Sequence, residues 1–395
     1  MKKIIISRTD SIGDVILTLP MTGVLKEYFP DSLIYFIGKE YTRPVIEACE
    51  HVDQFLDGDY IVGGRQLAVG SSQFPVPSQQ SESNIEYQTS NIKQSVSKIQ
   101  HLKNIKADVI IHVFPVKEIC KAAKKVGIPL RIGTSHRWFT WLYCNKLLHF
   151  SRKNSNLHEA QLNLRMLEPL GIKRTFSLNE IPDYYGLSKV GSWQLAGGSS
   201  QFPVPGSRSE SNIEYRTSNI EHPISSIHPP LDKRFNLILH PKSKGSAREW
   251  GLDNYSNLIR LLPEEKFRII ITGTKEEGSL MKDFLQQHEN RITDMTGKLT
   301  LSEMIALINS CDGIVAASTG PLHLAAAMGK HAIGLYAPMK PIYPKRWAPL
   351  GFHADYLFLD KDCNDCRHSL DCKCIRSITP EDVTLKLEAA SAKLF

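Results

Sequence analysis

The 395-residue sequence predicts an α/β protein made of two doubly wound domains in series. Three observations carry this expectation. Short runs of Ile, Val, Leu and Ala recur without the polar alternation of a half-exposed strand, the pattern of strands covered on both faces. Segments of helical length separate these runs. The series then restarts near residue 235, after a stretch poor in core residues. The length suits two domains. With 42% hydrophobic and 23% charged residues, the chain is neither disordered nor fibrous.

In order, the first half predicts a strand at Lys3–Ser7, a helix at Val15–Tyr28, a strand at Ser32–Ile37 and a helix near Arg43–Glu50. A strand at Val109–Val113, a helix at Lys117–Val126 and a strand at Leu130–Gly133 follow, and a long helical stretch from His158 to Leu170 closes this half. The second half offers strands at Phe235–His240, Phe267–Thr272, near Ile292, at Gly313–Ala317 and at His331–Tyr336. Helices at Asn254–Leu262, Glu276–Gln287, Leu301–Asn309 and Leu322–Met328 lie between them. No apolar run approaches the roughly 20 residues of a spanning helix. Ile4–Ile6 is too short for a signal-peptide core of about 7–15 residues. The expected compartment is the cytoplasm.

Residues 66–93 and 194–221 repeat one another, with 22 of 28 aligned positions identical. Both copies are rich in Ser, Gln, Asn, Gly and Pro, and cannot bury enough apolar area to offset the entropy of ordering. They read as two insertions of one element into surface loops. The expected organisation is an N-terminal Rossmann-like domain over 1–186, with an insert at about 63–97. A linker holding the second insert spans 187–231, and a C-terminal Rossmann-like domain spans 232–378. A terminal helix over 379–395 is expected to pack back on the N-terminal domain.

The formal charge is +7, and residues 98–174 carry fifteen Lys and Arg against four acids. That segment is either a solvated basic face or a surface for an anionic partner such as nucleic acid, phosphorylated lipid or an acidic membrane.

The loops after the strands hold the candidate chemistry. The first strand runs into Ser7-Arg8-Thr9-Asp10-Ser11-Ile12-Gly13-Asp14. Asp14 is either a cap of the next helix or a carboxylate at the cleft rim, usable as a general base. In Ser318-Thr319-Gly320-Pro321-Leu322-His323 a helix opens with Pro at its start and Gly for clearance, a cluster of amides suited to phosphate. His323, one turn in, is placed to donate to a second phosphate oxygen. Lys242, Lys244 and Arg248 in His240–Trp250 suit a diphosphate clamp. A carboxylate near Glu276 suits ribose hydroxyls. Neither GxGxxG nor GxxxxGK[ST] occurs at these loops.

The segments IISRTDSIGDVILTLP (5–20), LILHPKSKGSAREW (237–250), TGKLTLSEM (296–304) and STGPLHLAAAMGKHAIGLY (318–336) together resemble glycosyltransferase family 9, the heptosyltransferases of lipopolysaccharide core assembly. The resemblance implies a GT-B fold, with acceptor on the N-terminal domain and nucleotide sugar on the C-terminal one. It also implies metal-independent inverting transfer, usually from ADP-heptose. It places Asp14 at the proposed base and Arg248, with Lys244 as a second candidate, on the donor phosphates. Glu276 falls near the ribose-binding acid and Leu299 over the adenine. The family's phosphate loop usually begins with Asp, where this chain has Ser318. An anionic glycolipid acceptor and peripheral contact with the inner membrane surface are implied, and no nucleic acid. No cofactor is required for catalysis.

Cys363, Cys366, Cys372 and Cys374 form a C-x2-C-x5-C-x-C array. Structural zinc, free thiols and a disulfide are the three readings open to it. Two other functions compete with sugar transfer: a nucleotide-sugar epimerase of similar fold, and a non-catalytic nucleic-acid-binding protein using residues 98–174.

Overall fold

The computed structural model describes residues 1–62, 100–152, 155–187, 233–339, 343–361, 363, 366 and 371–392. Both copies of the repeat lie outside the described residues. Two six-stranded sheets organise the rest, every pairing parallel. The first contains β1 (Lys3–Ser7), β2 (Leu33–Gly38), β3 (Gln54–Asp57), β4 (Val109–His112), β5 (Leu130–Thr134) and β6 (Lys146–Leu148), in the order β3-β2-β1-β4-β5-β6. The second contains β7 (Phe235–His240), β8 (Phe267–Ile271), β9 (Ile292–Asp294), β10 (Gly313–Ala317), β11 (His331–Tyr336) and β12 (Ala354–Phe358), in the order β12-β11-β10-β7-β8-β9. The two orders are the same topology, the doubly wound order whose switch point lies beside the first strand. Here those points fall between β1 and β4 and between β7 and β10. This is the GT-B architecture of two Rossmann-like units.

The apolar runs are buried on both faces, as their lack of alternation requires. In β1, Ile4 and Ile6 face one core layer, while Ile5 faces another with Ile37 and Ile110. The edge strands β3, β6 and β12 were not expected from the sequence. They are short and partly exposed, so they lack an uninterrupted apolar run.

Proline breaks two helices that the sequence predicts as continuous. Val15–Tyr28 becomes Ile12–Ile16 and Pro20–Tyr28, because Pro20 has no N–H to give to the first helix and starts a second. The stretch from His158 becomes Glu159–Leu164 followed by a 3-10 turn over Arg165–Leu170, which contains Pro169.

One packing expectation is overturned. The terminal helix Pro380–Ser391 does not return to the N-terminal half. Its buried Val383, Leu387 and Ala390 recur at helical spacing and join the core of the second sheet, against helix Leu252–Leu261. The indole N–H of Trp250 donates to Ile378 O at 2.8 Å and ties the approach to this helix. The segment that does return is 344–348. Arg346 Nη2 donates to Glu159 at 2.9 Å, and the His158 ring bonds Ala348 O at 2.9 Å.

Candidate active site

A cleft of about 810 Å³ opens between the carboxyl ends of the two sheets. The loop after β1 forms one wall, and the loops after β7, β8, β9 and β10 form the other. Two glycines let the walls meet. A Cβ on Gly13 would sit 3.1 Å from the His323 ring, and one on Gly320 would sit 3.1 Å from Ile12.

On the first wall, Asp14 lies in helix Ile12–Ile16 and lines the cleft. Its carboxylate does not cap that helix. Ser11 does, accepting from the Asp14 amide at 3.4 Å. The side chain is held instead by Arg8, whose Nη2 donates to Oδ1, and by Ser11, whose hydroxyl donates to Oδ2 at 2.6 Å. Arg8 is buried and also holds Asp10, through Nε at 2.7 Å. Burial pushes the Asp10 carboxyl up to about 6, against the pull of Arg8 and with help from the Asp14 charge. Behind Arg8 lies Glu159, 2% exposed, where Arg8, Arg152 and Arg346 converge. Burial opposes its charge, but the three guanidiniums hold its carboxyl below the usual range.

The second wall is built around helix Gly320–Ala327. Thr319 occupies its N-cap position and makes no side-chain cap bond. The Thr319 hydroxyl and His323 Nδ1 are buried and have no hydrogen-bond partner among the described residues. Burial, with His158 nearby, lowers the His323 ring to about 3, so it faces the cleft as a neutral imidazole. Ser318 and Gly320 line the cleft beside them. First-turn amides, an uncommitted hydroxyl and a neutral imidazole together suit an anion.

The three cations of the loop after β7 part company. Lys244 lines the cleft with φ +49°, an uncommon conformation for a non-glycine residue, followed by Gly245 at +79°. Lys242 does not line it; it pairs with Glu249 at 2.9 Å. Arg248 does not line it either; its Nε donates to Cys366 O at 2.9 Å. Trp250 is fully buried two residues later, which fixes the chain so that Arg248 points to the cysteine segment. Glu276 is likewise off the lining. It is exposed, whereas Glu277 lines the cleft and closes a capping box with Thr274 at 2.8 and 3.2 Å. The Thr274-x-x-Glu277 spacing is the sequence signal that could have found it. Leu299 lines the cleft together with Leu301 and Met304, which gives it an apolar stretch. Sequence reading also missed Lys275, Tyr41 and Trp347 on the lining.

No disulfide joins any of the eight cysteines, all of which are among the described residues. The Sγ atoms of Cys363, Cys366 and Cys374 lie within 4.8 Å of one another, and Cys372 Sγ is 3.0 Å from Cys366 Sγ. The array therefore converges, well outside the cleft.

A model of glycosyltransferase family 9 (heptosyltransferase) matches residues 191–374, the half that carries the second wall of the cleft. The chain carries a glycosyltransferase family 9 domain. Lipopolysaccharide heptosyltransferase 3 of Escherichia coli is 20% identical over 340 residues, covering 85% of this chain and 82% of that one. The E. coli ADP-heptose LPS heptosyltransferase II structure superposes with TM-score 0.67 at 16% identity, covering 100% and 99% of the two chains. The E. coli heptosyltransferase WaaC with ADP gives 0.64 at 12%, covering 98% and 99%. These structures share the GT-B fold, and the family 9 domain makes the protein a transferase. Among the described residues no helix is long and apolar enough to cross a membrane.

Proposed function

We propose that this family 9 protein transfers a heptose from ADP-heptose to a hydroxyl of an anionic, lipid-linked lipopolysaccharide core acceptor, with inversion and without a catalytic metal. One observation carries this reading: a carboxylate free of capping duty faces an uncommitted anion-binding helix end across one cleft. Asp14 takes the proton of the acceptor hydroxyl as its oxygen attacks the anomeric carbon. The bond from that carbon to the diphosphate breaks on the opposite face, and ADP leaves with the electron pair. Lys244, Thr319, His323 and the first-turn amides stabilise its growing charge. Leu299 packs on the adenine, and Glu277 rather than Glu276 faces the ribose. An epimerase would need no acceptor, so acceptor-dependent release of ADP separates the two readings. The four C-terminal thiols hold a structural zinc in this reading.

The test is direct binding. Lys244→Ala should weaken ADP binding roughly 10–100-fold, the loss of a charge-assisted hydrogen bond of about 1.5–3 kcal/mol. Arg248→Ala should leave it nearly unchanged, because that side chain serves the cysteine segment. Calorimetry showing the reverse order would remove Lys244 from the donor site.

The acceptor enters beside Arg8. The Arg8 and Arg137 guanidiniums lie 6.0 and 4.9 Å from the Phe114 ring, and Lys117 Nζ lies 5.2 Å from the Trp138 ring. Trp138 and Trp141 are 66% and 59% exposed on helix Trp138–Tyr143. Aromatic rings among cations suit the interface of an anionic membrane. In this reading the protein works in the cytoplasm, on the inner face of the membrane. Trp138→Ala with Trp141→Ala should reduce sedimentation with anionic vesicles severalfold and leave ADP affinity intact. Unchanged sedimentation would move the membrane contact elsewhere.

A further inference from the structure

Three soft donors meet at the carboxyl end of β4, and none of them lines the cleft. His112 closes β4, Cys120 lies in helix Lys117–Lys125, and Cys144 follows helix Trp138–Tyr143. One ring nitrogen and the two sulfurs lie within 4.8 Å of one another. All three residues are buried, His112 and Cys120 completely. Neither ring nitrogen of His112 has a hydrogen-bond partner among the described residues. A neutral imidazole offers one donor and one acceptor, and burying both unmet is costly. The backbone has also made room for the sulfur. A Cβ at position 133 would sit 2.9 Å from Cys144 Sγ, a space that Gly133 leaves open.

We propose that His112, Cys120 and Cys144 form a Cys2His site for a thiophilic closed-shell cation, zinc(II) or copper(I), that clasps β4 to the two helices beside it. Both thiols lose their protons on binding, each sulfur gives a lone pair, and His112 gives the lone pair of one nitrogen. Nothing is oxidised. Three donors complete a trigonal copper(I) site, whereas zinc(II) adds a water as fourth ligand. Burial supports the imidazole as a ligand by holding it neutral, its pKa lowered to about 3. A Cys120–Cys144 disulfide would use the sulfurs and leave His112 unmet. The clasp fixes the helix that presents Trp138 and Trp141, and it takes no part in sugar transfer.

The test uses the full chain, kept reduced, stripped with chelator and loaded with zinc(II) or copper(I) before metal analysis. Cys363→Ser with Cys366→Ser removes two of the four competing C-terminal thiols and so breaks their array. That background should keep about one ion per chain, and adding Cys120→Ser or His112→Gln should abolish it; whichever ion is retained names the metal. A second readout needs no variant. Loading should slow alkylation of Cys120 and Cys144 at least about tenfold, read by mass spectrometry. Metal content indifferent to Cys120→Ser, alkylation indifferent to loading, or a Cys120–Cys144 disulfide in the protein as isolated would each overturn the site.

Discussion

Asp14→Asn should cut turnover by roughly 10²–10⁴-fold, the usual range for loss of a general base. ADP affinity should stay within about twofold, since the diphosphate end of the cleft lies on the other sheet. The variant keeps the shape of the side chain, and Ser11 still caps the helix, so folding should not change. The wild-type rate should also fall as pH drops through about 6. There Asp10 takes up a proton, and Arg8, no longer shared with it, is left to hold the Asp14 carboxylate that should receive the acceptor proton. Steady-state kinetics and a pH–rate profile check both statements. Full turnover in Asp14→Asn would take the proposed base away and leave Asp14 as a partner of Arg8.

Glu159→Ala should destabilise the protein by about 3–5 kcal/mol, the usual cost of removing one partner from a buried ion cluster. Three guanidiniums, from Arg8, Arg152 and Arg346, would lose their shared carboxylate in a site that is nearly dry. Because Arg346 comes from the second half, the loss should also weaken the contact between the halves. Glu159 has a folded-state pKa below its unfolded value. Its contribution is therefore present above the unfolded value of about 4.3 and is lost as pH falls through the lower folded value. Chemical denaturation of wild type and variant at pH 7, repeated under acid, measures both effects. A difference under about 1 kcal/mol at pH 7 would mean that water reaches the cluster and screens it.

The residue order determined the central strands, the restart at Phe235 and the two loops that flank the cleft. Each of those features is local: apolar runs mark covered strands, Gly13 and Gly320 permit close approach, and Pro321 opens a helix. Asp14, Lys244, Leu299 and the Ser318–His323 loop were legible for the same reason. Tertiary structure alone decided which loop side chains reach the cleft. In a loop without period, direction is set by whatever anchors the chain on either side, here buried Trp250 and Glu249, so Lys244 faces the cleft while Lys242 and Arg248 turn away. It also made the cluster of Arg8, Glu159 and Arg346: folding of the first half brings Arg8 to Glu159 across 151 positions, and Arg346, 187 positions on, reaches Glu159 only because the second half closes on the first. The terminal helix followed the same logic: its apolar stripe fits either half equally well on paper, and the anchor at Ile378 commits it to the second.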